Sequence, residues 1–289
     1  MELLEIAPPR RGHQVNAAPA PISGLARRRP QRLHEYLALG SGLVLLGTIS
    51  LTWSALAVPL HYVLPRRWAR LLGRRSVTTL FRLYLGALDL IGACRFDLRE
   101  LDTLRNEGPL IIAPNHPCLL DAVMVISRLP NTACIMKADI VDNIFLGAGA
   151  RLAGYIRNDA RLSMIRQAVA ELRNGSHLLL FPEGTRTTRW PVNACKGTAA
   201  LIARRARVPI QTVFIETDSP YLSKGWPLFR CPAMPITYRI RLGRRFDPPA
   251  KAGAFTEELE RHFIEALRDA PRFLPPDAQQ AADAPRPVG

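Results

Sequence analysis

Lysine is scarce in this chain. Only Lys137, Lys196, Lys224 and Lys251 carry it among 39 basic residues, so the formal net charge of +15 is almost entirely an arginine charge. Cysteine is also sparse, and Cys94, Cys118, Cys134, Cys195 and Cys231 are widely scattered with no CxxC pair. That excludes a disulfide framework and a structural zinc site, and no metal is expected. Internal repeats are absent, as are helix-turn-helix, zinc-finger and RNA-binding signatures. The positive charge still calls for an anionic partner: membrane lipid, nucleic acid or a phosphorylated small substrate. Arginines cluster around the longest apolar segment, so lipid headgroups account for the charge and no nucleic-acid partner is expected.

Charge itself is missing from Tyr36 to Leu64, where no Lys, Arg, Asp or Glu occurs. The run exceeds the ~20 residues that a membrane helix needs. Arg27, Arg28, Arg29 and Arg32 precede it, and Arg66, Arg67, Arg70, Arg74 and Arg75 follow. Positive flanks hold to the cytoplasmic side, so a segment that enters and leaves by one leaflet satisfies both, with Pro59 and Pro65 as breaks. Val77 to Ile91 suits an interfacial helix packed on the first. The expected organisation is a disordered basic arm at 1–31, membrane-associating helices at 32–95, a catalytic domain at 96–270 and a disordered Pro-rich tail at 271–289. The arm does not resemble a cleaved signal, because the apolar run starts too late. The expected location is the cytoplasmic membrane, with the catalytic domain facing the cytoplasm.

After Phe96 short apolar runs alternate with helical patterns. Pro109–Ala113, Thr132–Met136, His177–Phe181, Ile210–Ile215 and Ile236–Leu242 read as strands. Leu119–Ser127, Asp139–Leu152, Ala160–Arg173, Asn193–Arg205 and Phe255–Arg268 read as helices. The fold class is therefore α/β, with a mainly parallel central sheet flanked by helices and preceded by an N-terminal hydrophobic two-helix anchor. Function gathers at the carboxyl ends of strands in such sheets.

Two constellations fall there. Asn115-His116-Pro117-Cys118-Leu119-Leu120-Asp121 sets an imidazole and a carboxylate five residues apart after a buried strand. Histidine accepts a proton near neutral pH, and a carboxylate on its far nitrogen fixes the tautomer. A lone histidine is most often structural, but Pro114 and Pro117 bracket this one on a turn. Phe181-Pro182-Glu183-Gly184-Thr185-Arg186 is the second. Glycine permits a tight turn, and arginine presents a planar fork suited to phosphate oxygens. Taken alone, it reads equally well as a surface turn with a local ion pair.

Together, in this order, the two resemble the first and third blocks of the glycerolipid acyltransferase superfamily, NHxxxxD and FPEGTR. Val208-Pro209-Ile210 is similar to the fourth block, and Lys196-Gly197 stands where that family often carries a basic residue and a glycine. Gly154-Tyr155-Ile156-Arg157-Asn158-Asp159 stands for the second block, but with its arginine early and no acid before it. The resemblance covers roughly Phe96 to Ile215.

It implies an O-acyltransferase of phospholipid biosynthesis, in which His116 is general base and Asp121 orients it. Glu183, Gly184, Thr185 and Arg186, with Arg157, would bind the acceptor head. Backbone N–H groups near Leu119 would face the oxyanion. The donor substrate would be acyl-CoA or acyl carrier protein, with no cofactor, and the acceptor a lyso-lipid, 1-acylglycerol-3-phosphate first. A lysophospholipid, amino-acid lipid or specialised hydroxylated acceptor is the alternative, and a thioester hydrolase a further one. Cys118 is a conceivable nucleophile, although residues two apart on a tight turn rarely meet.

Overall fold

A computed structural model describes residues 29–268 of the chain. The expected tail at 271–289, and the expected arm apart from its last three residues, lie outside the described residues. Helix α1 (Arg29–Val63) and helix α2 (Arg66–Leu90) come first. The expected break at Pro59 does not occur, since that residue lies inside α1. Pro65 makes the turn: its ring fixes φ at −54° and its carbonyl accepts from the Trp68 and Ala69 amides. The second helix therefore begins eleven residues before Val77, taking the flanking arginines into its first turns.

Small residues let α1 lie close along the protein. Ala38, Leu39, Ser50, Ser54 and Ala57 are buried in it, while Leu37, Val44, Leu51, Leu56 and Val58 point outward. Strand β1 (Cys94–Asp97) and a 3-10 helix (Arg99–Leu104) lead into the sheet. Then come β2 (Ile111–Pro114), α3 (Asp121–Arg128), β3 (Thr132–Met136), α4 (Ala138–Val141) and α5 (Gly147–Leu152). The chain continues through β4 (Ile156–Arg157), α6 (Arg161–Arg173), β5 (His177–Leu179), α7 (Thr198–Ala206), β6 (Ile210–Thr217), β7 (Ile236–Phe246) and α8 (Ala252–Ala266).

Seven strands form one sheet in the order β1-β7-β6-β2-β5-β3-β4. The five from β6 to β4 are parallel, while β7 pairs antiparallel to β6 and carries β1 parallel beside it. The expected mainly parallel α/β sheet is thus present, with β1 and the two-residue β4 as strands too short to show an apolar run. Asp139–Leu152, expected as one helix, is two, separated by residues 142–146.

Alternation along the strands sends side chains to two cores. Ile112, Leu179, Val213 and Ile215 pack towards α1, α2, α3 and the 3-10 helix. Ile111, Ala113, Leu178, Leu180, Ile210 and Phe214 pack towards α6, α7 and α8. Each fully buried Leu or Ile contributes roughly 1.5–3 kcal/mol, so these two layers supply the bulk of the stability.

A buried polar knot ties α2 to the amino ends of the strands. Arg74 donates to the Ala153 carbonyl at 3.0 Å, to Ser176 Oγ at 2.7 Å, to Asn131 Oδ1 at 3.2 Å and to Glu171 at 2.7 Å. Gly73 beside it has no room for a side chain, since a Cβ would stand 2.6 Å from the Ala153 amide nitrogen. Removing one member of a buried pair leaves the other uncompensated. Arg74→Leu should therefore destabilise the protein by about 3 kcal/mol in chemical denaturation. A change within the error of the measurement would show that α2 is held by apolar packing alone.

Candidate active site

The site is built where β2 and β5 end. Asn115, the first residue past β2, is buried and paired across to β6 like a backbone unit: its Nδ2 donates to the Ile215 carbonyl at 3.0 Å, and its Oδ1 accepts the Ile215 amide at 2.7 Å. That clamp fixes where His116 leaves the sheet. The imidazole stacks on Phe181, with ring centroids 3.8 Å apart and planes 18° from parallel.

His116 Nδ1 lies 2.7 Å from Asp121 Oδ2. Asp121 is fully buried at the first position of α3, where the helix dipole favours an anion. A carboxylate only accepts, so Nδ1 carries the hydrogen and Nε2 presents its lone pair. Among the described residues Nε2 has no partner, and the ring is 17% exposed, enough to meet a ligand.

Cys118 completes the support of Asp121. Its amide donates to Oδ2 at 2.9 Å and its thiol to Oδ1 at 3.0 Å. Burial, and then the Asp121 charge, push the thiol well above its ordinary range, so it stays protonated at neutral pH. The sulfur faces the carboxylate, and the nucleophile reading of Cys118 is set aside. The expected oxyanion donors need revision too. The Cys118 amide is held by Asp121, and the Leu119 amide donates to the Leu222 carbonyl at 3.1 Å.

Glu183 was expected to reach an acceptor, but it is turned inward and is 2% exposed. Its Oε1 accepts the His116 amide at 2.9 Å and its Oε2 the Asn193 amide at 2.8 Å. Thr187 Oγ1 lies within 2.8 and 2.9 Å of both oxygens. Burial raises the carboxyl's pKa, and these hydrogen bonds oppose that rise. The residue ties the histidine turn to the arginine loop. The Thr187 amide, which donates to the His116 carbonyl at 2.7 Å, closes the same junction.

Gly184 sits beyond it at φ +69°. A Cβ there would stand 2.6 Å from Lys196 Nζ, so glycine is what lets the ammonium lie over the loop. Arg186 donates through Nη1 to the Leu222 and Ser223 carbonyls, both at 2.9 Å, and its remaining N–H groups are without a protein partner among the described residues. Thr185 lies half-buried between them. Lys196 is the cation missing from the expected site residues; its signal was the basic residue followed by glycine after the third block.

Arg157 is not brought to this cluster. It lies on the edge strand β4, with β3 and β5 between it and β2, which at about 4.8 Å per strand is roughly 14 Å away. There it pairs with Asp142 at 2.7 Å and Asp159 at 2.9 Å. The early arginine of the second block is thus held by flanking carboxylates that the sequence pattern did not connect to it.

A histidine–aspartate base at the carboxyl edge of a mainly parallel sheet, followed by a cationic glycine loop, defines a class. Residues 95–216 match the family model described as Acyltransferase. Among named relatives, the chain is 36% identical over 80 residues to a lyso-ornithine lipid O-acyltransferase of Rhodobacter capsulatus, covering 26% of this chain and 29% of that one. It is 28% identical over 134 residues to the human 1-acyl-sn-glycerol-3-phosphate acyltransferase beta, covering 44% and 48%. A putative 1-acyl-sn-glycerol-3-phosphate acyltransferase of Caenorhabditis elegans matches at 28% over 131 residues, covering 43% and 46%. The chain therefore spans less than half the length of these curated relatives. The crystal structure of the Thermotoga maritima 1-acyl-sn-glycerophosphate acyltransferase PlsC shares the fold, with a TM-score of 0.62 at 18% identity over 84% of this chain and 99% of that one.

Replacing Glu183 by Gln keeps its shape but turns an amide towards N–H donors. Loss of a buried charged acceptor of this kind costs about 2 kcal/mol. Glu183→Gln should lower the denaturation midpoint and open the 182–193 loop to limited proteolysis. Unchanged cleavage kinetics would show that the loop is fixed by other contacts.

Proposed function

We propose that the protein is a membrane-associated O-acyltransferase that moves a fatty acyl group from acyl-CoA or acyl carrier protein to a lyso-lipid hydroxyl. The acceptor put first is 1-acylglycerol-3-phosphate, giving phosphatidic acid. The observation that carries this is the 2.7 Å contact between His116 Nδ1 and Asp121, which leaves Nε2 exposed and, among the described residues, hydrogen-bonded to no protein nucleophile. Cys118, the nearest candidate, is turned to the carboxylate.

The incoming hydroxyl gives its proton to Nε2 as its oxygen attacks the thioester carbon. Asp121 stabilises the imidazolium that results. When the tetrahedral intermediate collapses the C–S bond breaks, and the departing thiolate takes the proton back from His116. Arg186 and Lys196, beside Gly184 and Thr185, supply positive charge for the acceptor's phosphate. Glu183 acts by placing both halves of the site.

The membrane supplies the acceptor. Helix α1 is long and apolar enough to cross a bilayer. It nevertheless touches the domain far along its length, from the Glu35 contact with the Met234 amide at 3.5 Å to the Ser54 hydrogen bond with the Phe145 carbonyl at 2.8 Å. A helix held at both ends against one domain fits an in-plane anchor with its large apolar side chains turned to lipid. Both arginine flanks then stay on the cytoplasmic side, where the catalytic domain also belongs. An ornithine-headed lyso-lipid is the second acceptor reading, supported by the identity to the Rhodobacter relative and by the tethering of Arg157 away from the site.

Membranes carrying the protein, given labelled acyl donors and a panel of lyso-acceptors, should acylate one panel member, read by product mass. His116→Ala should lower that rate by a factor of about 10²–10⁴ while lipid binding persists, and Cys118→Ala should keep measurable turnover. Unchanged transfer in the histidine variant would end the reading; thioester loss independent of every acceptor would replace it with a hydrolase. Arg186→Ala should raise KM for a phosphate-bearing acceptor more than it lowers kcat. Equal effects on a phosphate-free acceptor would assign Arg186 to loop anchoring alone.

A further inference from the structure

Outside glycine, two described residues have φ in the left-handed region, Arg207 and Leu222. Arg207 caps the end of α7, where that conformation has a local cause. Leu222, at φ +59°, ends no helix. It is the third residue of a turn that the Ser223 amide closes on the Pro220 carbonyl at 3.0 Å, where positive φ ordinarily calls for glycine or asparagine. A leucine held there is strained, and such strain persists where the surrounding contacts demand it. Here the contacts are those of the site. The Leu222 carbonyl accepts the Leu119 amide at 3.1 Å and Arg186 Nη1 at 2.9 Å. The next carbonyl, of Ser223, accepts the same Nη1 at 2.9 Å. The turn thus meets both the histidine loop and the arginine loop, and it lies beyond the matched residues 95–216.

A second observation on the same turn points to a ligand. Five buried side-chain polar atoms lack a hydrogen-bond partner among the described residues: Trp53 Nε1, Thr132 Oγ1, Tyr155 Oη, Ser223 Oγ and Tyr238 Oη. Ser223 is the one of these whose own backbone touches the arginine loop. At 5% exposure its hydroxyl has neither a protein acceptor nor solvent to donate to, which costs free energy until a partner arrives. We propose that the turn Pro220–Ser223 is a third wall of the acceptor-head site, and that the Ser223 hydroxyl donates to the anionic group that Arg186 binds. This rests on the reading of Arg186 as an acceptor residue. A hydroxyl reorients about a single bond, whereas the turn is fixed by the buried Leu222 side chain. An anion at the free N–H groups of Arg186 therefore gains a second kind of donor beside it. Asp121 and Glu183, the carboxylates of the two loops, are buried and already hydrogen-bonded, so the charge left facing a ligand is positive. Phosphate suits the set, since its several oxygens take a guanidinium and a hydroxyl at once. An acceptor head and the coenzyme of an acyl donor both carry that chemistry, and kinetics separate the two.

The test uses the full chain in detergent micelles, with palmitoyl-CoA as donor and 1-acylglycerol-3-phosphate as acceptor. The Ser223 hydroxyl has no protein partner to lose, so Ser223→Ala should leave the denaturation midpoint of the unliganded chain unchanged or raise it. It should nevertheless raise KM for the acceptor about tenfold or more, the worth of a hydrogen bond to a charged group, with a much smaller fall in kcat. KM for palmitoyl-CoA should move by less than about twofold. A rise in that value instead would give the hydroxyl to the coenzyme's phosphates and overturn the assignment, as would an unchanged acceptor KM. A lowered midpoint of the unliganded variant would overturn it too, by showing the hydroxyl bonded within the protein. Binding is read separately, as the rise in heat-denaturation midpoint that 1-acylglycerol-3-phosphate gives over an equal concentration of 1-acylglycerol. The wild-type chain should show that difference and Ser223→Ala should lose most of it; no difference in the wild-type chain overturns the site. The expected pair sustains the Ser223 site even where no acyl transfer is seen, which would end the transfer reading alone. Transfer by both chains with equal acceptor KM ends only the role of Ser223.

Discussion

The buried carboxylate of Glu183 is what the site depends on. It accepts from the His116 amide on one loop and from the Asn193 amide and Thr187 hydroxyl on the other. An anion at 2% exposure is costly unless donors surround it, and here the donors are the backbones of the two functional loops. The same requirement therefore positions His116 against Asp121 and sends Gly184 and Arg186 outward. Neither loop reaches its observed place without the other, although 67 residues of chain separate His116 from Glu183.

A second set of supports surrounds the base. Asn115 holds the chain to β6, Phe181 backs the imidazole, and Cys118 gives Asp121 two of the three hydrogen bonds it accepts. An aspartate so fully satisfied stays in one rotamer, and a fixed carboxylate fixes the ring tautomer. Where a hydroxyl serves equally well as donor, a thiol does the same work provided it remains protonated. Burial beside a negative charge keeps it so.

The parts that sequence made legible are those with a local cause. His116 and Asp121 fall within one turn and the start of one helix, and strands such as Thr132–Met136 show as apolar runs because both faces are buried. Pro65 marks the true helix break because it caps the start of a new helix, whereas Pro59 sits within an apolar helix that tolerates it. What was not legible needed contacts between distant segments. Arg74 looked like one more flanking arginine, yet it joins residues 57 to 102 positions away. Glu183 looked like a ligand because loop acids usually are exposed, and only its burial reveals a structural tie. Arg157 looked like part of the acceptor site until Asp142, fifteen residues earlier, took its guanidinium.

The charge of +15 resolves into separate populations once the sheet has two named faces. Arg66, Arg67 and Arg75 lie exposed on α2, in the layer that α1 shares. Arg186 and Lys196 stand at the carboxyl edge of the sheet, between the faces. Arg166, Arg173 and Arg205 lie on the far side. The catalytic loops stand at one edge of the sheet, the part of the domain that both layers border, and His116 lies there, where strands β2 and β5 end.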